Sequence, residues 1–439
     1  MTRRRVYLRS KLSKFLPNVL AEPARFYFWR FLRKLELPRC DANDPCQESG
    51  RARVQDCYCA RIGLCWAPSS RMIDRISPTI RNEPVTRIQP RPRAKTAMAH
   101  RELAVQQRGR IRSFSVDFAN YGAAFVASSD FHKASDTPFT RDFVAHVGCD
   151  HTEVVLDSRE LADQDLRRAV IQAADFPLGT SGDMYSSLYR LFQAVRAKST
   201  VALSGESADE VFGGYSWFHD PKAINAATFP WLAATGNTYD GTQVLDADLL
   251  ERLNLTEFRA DSYAQAIAET PVRKGEDAVE RRMREISYLH LTRFVQFLLD
   301  RKDRMSMAVG LEVRVPFCDH RLVDYVFNIP WHLKTFDGRE KSILRAATRK
   351  LLPNSIVERQ KNPYPSTQDP GYEKALRAEV TEVLENRSHP ATSLLNRKPI
   401  EDLLARPLGA TSSLPERAGL ERARSISAWV KDYGVVLDL

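Results

Sequence analysis

The spacing of apolar positions divides the chain near residue 96. From there to residue 203 the pattern switches repeatedly between a helical period and strict alternation. It predicts a helix over 97–107, then a strand at 112–118 with Phe114, Val116 and Phe118 on one face. A helix over 140–147 follows, closed by Gly148, then a strand at 152–156, helices over 159–174 and 185–197, and an apolar strand at 200–203. Strands that alternate with helices predict an α/β fold: a parallel sheet with flanking helices, whose ligands sit at the carboxyl ends of the strands. The series opens on a helix with no strand before it, so the sheet is expected to lack a central or adjacent strand. Beyond residue 203 the pattern turns mostly helical. Ile286, Leu289, Phe294, Phe297 and Leu298 share a face of a helix over 277–300, and Leu311, Val313 and Val315 alternate up to Pro316. Asp319 caps a helix over 321–327, a further helix runs from 339 to Pro353, 361–365 is a loop, and Trp429 and Tyr433 are expected in the C-terminal core.

Charge sharpens the division. The chain is basic overall at +10, yet residues 1–110 hold 24 Lys and Arg against 9 Asp and Glu, and the rest carries a net −5. A basic arm admits nucleic acid, but no reader fold or aromatic stacking platform accompanies this one, so nucleic-acid binding is not expected. Phe15, Leu16, Val19 and Leu20 fall near helical spacing among Lys and Arg, which fits a membrane-surface helix or a solvated arm. No apolar run reaches the length of a membrane span. Cys40, Cys46, Cys57, Cys59 and Cys65 crowd the same region without metal-pair spacing. Only Cys149 and Cys318 lie beyond it, which suits a reduced, cytoplasmic enzyme. His151, His219 and His320 fit no ligand pattern. Residues 1–95, rich in Arg, Pro and Cys, are set apart as an unassigned segment, either disordered or out of frame. Residues 96–439 are read as the enzymatic domain.

The candidate chemistry lies where the 200–203 strand ends. Ser204-Gly205-Glu206-Ser207-Ala208-Asp209-Glu210 makes a tight turn into a helix, then Val211-Phe212-Gly213-Gly214-Tyr215. Gly205 permits close approach to the main chain, and amides at a helix start favour phosphate. Three acidic residues beside that turn repel bare phosphate unless Mg²⁺ bridges them. Taken alone, the same stretch is also an ordinary helix start.

The stretch resembles the second ATP-loop of the asparagine synthetases, S-G-E-[GS]-[AS]-D-E-[LV]-F-G-G-Y. A second block agrees: Leu299-Asp300-Arg301-Lys302-Asp303-Arg304-Met305-Ser306-Met307-Ala308, then Gly310-Leu311-Glu312-Val313-Arg314-Val315-Pro316-Phe317. The resemblance implies a sheet of the ATP-pyrophosphatase type with a largely helical C-terminal part, acting on aspartate, ATP and ammonia. The aspartate side chain would attack the α-phosphorus of ATP, and ammonia would displace AMP from the acyl adenylate. On this resemblance Ser204, Gly205 and Val116 contact ATP, and Asp209 binds Mg²⁺ and pyrophosphate. Glu206 and Lys341 are catalytic, and Asp303, Arg304 and Arg314 are substrate-side candidates. A homo-oligomer or a separate glutaminase is the implied partner.

Two departures stand out. The family's first ATP-loop, S-G-G-L-D-S, would precede residue 96, where this chain has Ile88-Gln89-Pro90-Arg91-Pro92-Arg93-Ala94-Lys95. Position 2, where the family's glutaminase half begins with cysteine, is Thr2. A non-catalytic synthetase remnant, or a β-lactam-synthetase or peptide-cyclising relative, is therefore the alternative.

Overall fold

The computed structural model describes residues 86–88, 111–119, 135–180, 182–236, 241–362, 364–409 and 414–437. The expected 97–107 helix, the basic arm, the five early cysteines and the segment at 89–95 lie outside them.

The chain forms β1 (Thr86–Ile88), β2 (Arg112–Phe118), α1 (Thr137–Val147), β3 (Asp150–Leu156), α2 (Ser158–Ala162) and α3 (Gln164–Ala174). Next come α4 (Gly182–Arg196), β4 (Val201–Leu203) and α5 (Ala208–Phe212). Farther on lie α6 (Ala278–Leu289), α7 (Val295–Met307), β5 (Glu312–Arg314), α8 (Ser342–Thr348), α9 (Pro370–Glu385) and α10 (Leu414–Tyr433). The strands build one parallel sheet in the order β3-β2-β1-β4-β5.

The expectation of a missing strand is corrected here. Thr86–Ile88 occupies the centre of the sheet, with Thr86 beside Arg112 on one edge and Ala202 on the other. The connections run outward in opposite senses from this strand, so the carboxyl ends of β1 and β4 flank the switch point where such sheets bind ligands.

Helix α4 lies across β1, β2 and β3. Its Leu188, Leu191, Phe192 and Val195 recur at helical spacing and are all buried. The expected 159–174 helix is two helices. Asp163 breaks it, because its carboxylate accepts from the Leu166 amide and caps α3, while Asp157 and Glu160 form a reciprocal cap on α2. The 277–300 helix holds a π turn at His290–Phe294 and continues through α7 to Met307. At that turn His290 is fully buried among Trp217, Phe218, Trp231 and Phe294. It accepts from Trp217 Nε1 at 2.7 Å, and its Nδ1 lies 2.7 Å from the Ile286 carbonyl. Burial lowers this imidazole to about 3, so it is a neutral packing element.

Trp429 packs beside Ile426 and Val430 as expected, but Tyr433 is corrected to the surface, where its hydroxyl bonds Asp175 at 3.0 Å. Among the described residues no helix is long and apolar enough to cross a membrane.

Candidate active site

The apolar strand β4 delivers the chain to the switch point, and the Ser204 amide extends the ladder by donating to the Arg314 carbonyl at 2.9 Å. Ser207 then adopts a left-handed conformation, φ 72°, unusual for a residue with a Cβ. Its hydroxyl is met by the Cys318 thiol at 2.7 Å. Helix α5 is only five residues long and ends at Gly213, φ 64°. So short a helix carries little dipole, so an anion at this turn would depend on side chains instead. Gly214 presses on Asp209: a Cβ there would stand 2.0 Å from Oδ1, which requires glycine.

Around this turn three carboxylates meet three ammonium groups. Asp209 is completely buried, with Lys341 Nζ 2.6 Å from Oδ1 and Lys361 Nζ 3.7 Å from Oδ2. Glu206 pairs with the buried Lys302 at 3.0 Å. Glu210, also buried, accepts a hydrogen bond from Tyr215. Lys341 sits in a left-handed turn, φ 57°, immediately before α8. A clamp behind it fixes the third lysine. Arg345 donates to the Glu340 and Arg359 carbonyls at 2.8 and 2.7 Å and pairs with the Glu340 carboxylate, which also accepts the Lys361 amide at 3.0 Å.

Burial, with Asp209 and then Glu206 nearby, raises Glu210 from 4.5 to about 7, and the Tyr215 hydrogen bond only partly offsets this. A carboxyl whose folded value is raised contributes stability fully below its unfolded value, and that contribution is lost as pH climbs through the folded one. Stability is therefore expected to fall between about pH 4.5 and 7 by up to ~3 kcal/mol. Glu210→Gln should flatten the fall. Urea denaturation of both proteins at pH 5 and 8 checks it, and equal pH slopes would count against the assignment.

The remaining sequence candidates are placed as follows. Val116 is buried in β2 opposite Val154, with β1 between it and β4. Asp303 is on the exposed side of α7, Arg304 pairs with Asp300 at 3.0 Å, and the Arg314 side chain pairs with Glu312 at 2.7 Å. Arg314 meets the turn through its backbone carbonyl, whereas the side chains of Asp303 and Arg304 make no hydrogen bond or ion pair to it among the described residues. The charged run Arg301-Lys302-Asp303-Arg304 is half buried, with Arg301 and Lys302 facing inward. Lys302, Lys361, Glu210 and Tyr215 join the site without having been singled out as site residues. Lys302 carried a signal, since it lies inside the second matching block.

Among the described residues no group of three His, Cys, Asp or Glu forms a metal cage. A buried carboxylate such as Asp209 suits Mg²⁺ that arrives on phosphates, which takes one or two protein carboxylates and keeps its other oxygens from water and substrate.

A parallel α/β sheet with an acid and lysine cluster at its switch point defines a ligand-binding α/β domain. The asparagine synthase family model matches residues 96–431, and the chain belongs to that family. It is 38% identical over 311 residues to asparagine synthetase [glutamine-hydrolyzing] 3 of Bacillus subtilis, covering 71% of this chain and 49% of that protein. It is 24% identical over 282 residues to asparagine synthetase [glutamine-hydrolyzing] 1 of the same organism, covering 58% and 42%. With the Gallus gallus asparagine synthetase [glutamine-hydrolyzing] it shares 28% over 229 residues, covering 51% and 30%. The chain spans less than half the length of these relatives.

Proposed function

We propose that the chain is an ATP-dependent amide-forming ligase of the ATP-pyrophosphatase type, acting in the cytoplasm on aspartate with ammonia as nitrogen donor. The observation that carries this reading is the buried Asp209 held between Lys341 and Lys361 at the carboxyl end of β4. A carboxylate has no good leaving group at neutral pH, so amide formation needs prior activation. An oxygen of the aspartate side chain bonds the α-phosphorus, the bridge to the β-phosphorus breaks, and pyrophosphate departs with the electron pair. Ammonia then bonds the acyl carbon, AMP leaves, and the nitrogen gives up a proton.

In this reading Ser204 and Gly205 receive the phosphates and Val116 supports the base side. Lys341 meets the charge that develops on the phosphates in both steps. Glu206, paired with Lys302, would handle the ammonia proton. Asp209 would hold Mg²⁺, which when bound neutralises charge on the departing pyrophosphate. Asp303, Arg304 and Arg314 remain candidates for the substrate side. The unit that carries the activity comprises 96–439 together with β1, whereas 1–95 otherwise stays a separate segment. A homo-oligomer or separate glutaminase is the proposed partner.

A second reading, a domain that binds nucleotide without turnover, is favoured by Pro90 and Pro92 where the first ATP-loop would lie, because proline removes amide donors. Pyrophosphate release from ATP and Mg²⁺, with and without aspartate and ammonium, separates the two. The ligase reading expects release that requires aspartate. ATP binding without release from folded protein would support the second.

A further inference from the structure

Arg345 is a buried residue of α8, and its bonds converge on the turn that carries Lys341. Its Nε donates to the Glu340 carbonyl at 2.8 Å, in the peptide unit just before Lys341. Its own amide donates to the Lys341 carbonyl at 2.9 Å, in the peptide unit just after. One residue therefore holds both peptide units that flank Lys341, whose φ of 57° is a left-handed conformation that a residue with a Cβ rarely adopts. A turn of that kind persists where the surrounding bonds fix it. The Nη atoms reach the Val357 carbonyl and, at 2.7 Å, the Arg359 carbonyl, and they pair with the Glu340 carboxylate. That carboxylate also accepts the Lys361 amide at 3.0 Å. Four acceptors from two separate segments thus meet the donors of one planar fork, which a lysine ammonium cannot reproduce.

We propose that Arg345 is a positioning residue for the ligase reaction: by fixing the Lys341 turn it aims the Lys341 ammonium at Asp209 and at the pyrophosphate subsite. The inference rests on the ligase reading and deepens it. A lysine stem is flexible, but this one is buried and ends 2.6 Å from a carboxylate with no solvent exposure. Its direction is set by the backbone it leaves from, and a drift of about 1 Å there weakens a charge-assisted contact steeply. Among the described residues Arg345 makes no hydrogen bond or ion pair to Asp209, Glu206 or Glu210, so its effect on phosphates passes through the turn it holds. A residue that only joined two segments would, when replaced, cost stability alone or weaken every ligand alike.

Isothermal titration of the full chain with magnesium pyrophosphate and, separately, with AMP tests this on wild type, Arg345→Lys and Glu340→Gln, with urea denaturation establishing that each is folded. Arg345→Lys is expected to weaken pyrophosphate binding by about ten- to thirtyfold and to leave AMP affinity within about twofold. Glu340→Gln keeps an acceptor for the Lys361 amide but removes the charge that holds the guanidinium, and the same selective loss is expected at about threefold. On a Lys341→Ala background Arg345→Lys should add less than about twofold, because the group it aims is gone. If Arg345→Lys does not fold, Glu340→Gln decides alone by the same comparisons. Pyrophosphate affinity that is unchanged in a folded variant, weakened equally with AMP, or lowered by the full factor again without Lys341 overturns the proposal and leaves the ligase reading standing. Wild type that binds neither ligand removes the ligase reading and the proposal with it.

Discussion

Lys341→Ala is expected to abolish aspartate-dependent pyrophosphate release, with a loss of at least ~10³-fold, and to destabilise the fold by about 3 kcal/mol. Both effects come from one contact. Asp209 has no solvent exposure, and the Lys341 ammonium sits 2.6 Å from its Oδ1. Removing one partner of a buried pair strands the other charge in a poorly solvating site, and Lys361 at 3.7 Å repairs only part of that loss. The two effects separate in the double variant. Lys341→Ala with Asp209→Asn should recover most of the stability, because the stranded charge is gone, yet remain inactive. Chemical denaturation and pyrophosphate release measured on the same preparations check this. A stable, active Lys341→Ala would show that the lysine serves neither the phosphates nor the buried acid.

The turn was readable because its chemistry is local. Ser204 to Gly214 is one continuous run in which a strand ends, a turn forms and acids follow, and the structure assembles Glu206, Asp209 and Lys341 into one cluster. Most of what escaped depends on distant chain. β1 is three residues between Pro84 and Pro90 in an Arg-rich segment, too short to show a period, and its place is set by β2 and β4 on either side. Lys361 reads as a loop lysine, since only the clamp from Arg345 and Glu340 carries it to Asp209. Asp163 reads as a polar position within a helix, and capping by its side chain turns it into a boundary. For β1 and Lys361 distant chain decides the placement, whereas for Asp163 a cap three residues away does.

The C-terminal helix leads to the second large expected effect. Arg417, Glu421, Arg422 and Arg424 are charged residues of α10, yet all four are buried. Arg417 Nη2 lies 2.7 Å from Asp183 Oδ2 at the start of α4, and Nη1 donates to the Thr367 carbonyl at 2.8 Å. The same Asp183 oxygen accepts the Thr367 amide at 2.9 Å and the Ser366 hydroxyl at 2.6 Å. Glu421 accepts from the buried Tyr372 hydroxyl of α9 at 2.7 Å. One arginine thus joins three segments: α10, the start of α4, whose body lies across three strands, and the chain that continues from Lys361. Arg417→Met keeps much of the apolar stem but leaves Asp183 without its cation in a site with no solvent exposure. The expected cost is about 3–5 kcal/mol. Asp183→Asn on the Arg417→Met background should return a large part of it, since the asparagine amide keeps an acceptor for Thr367 and Ser366 without a stranded charge. Denaturant midpoints of the two single variants and the double variant measure the coupling. Additive losses would mean that Arg417 and Asp183 are held by their separate neighbours and that the pair itself does not clamp α10 to the sheet.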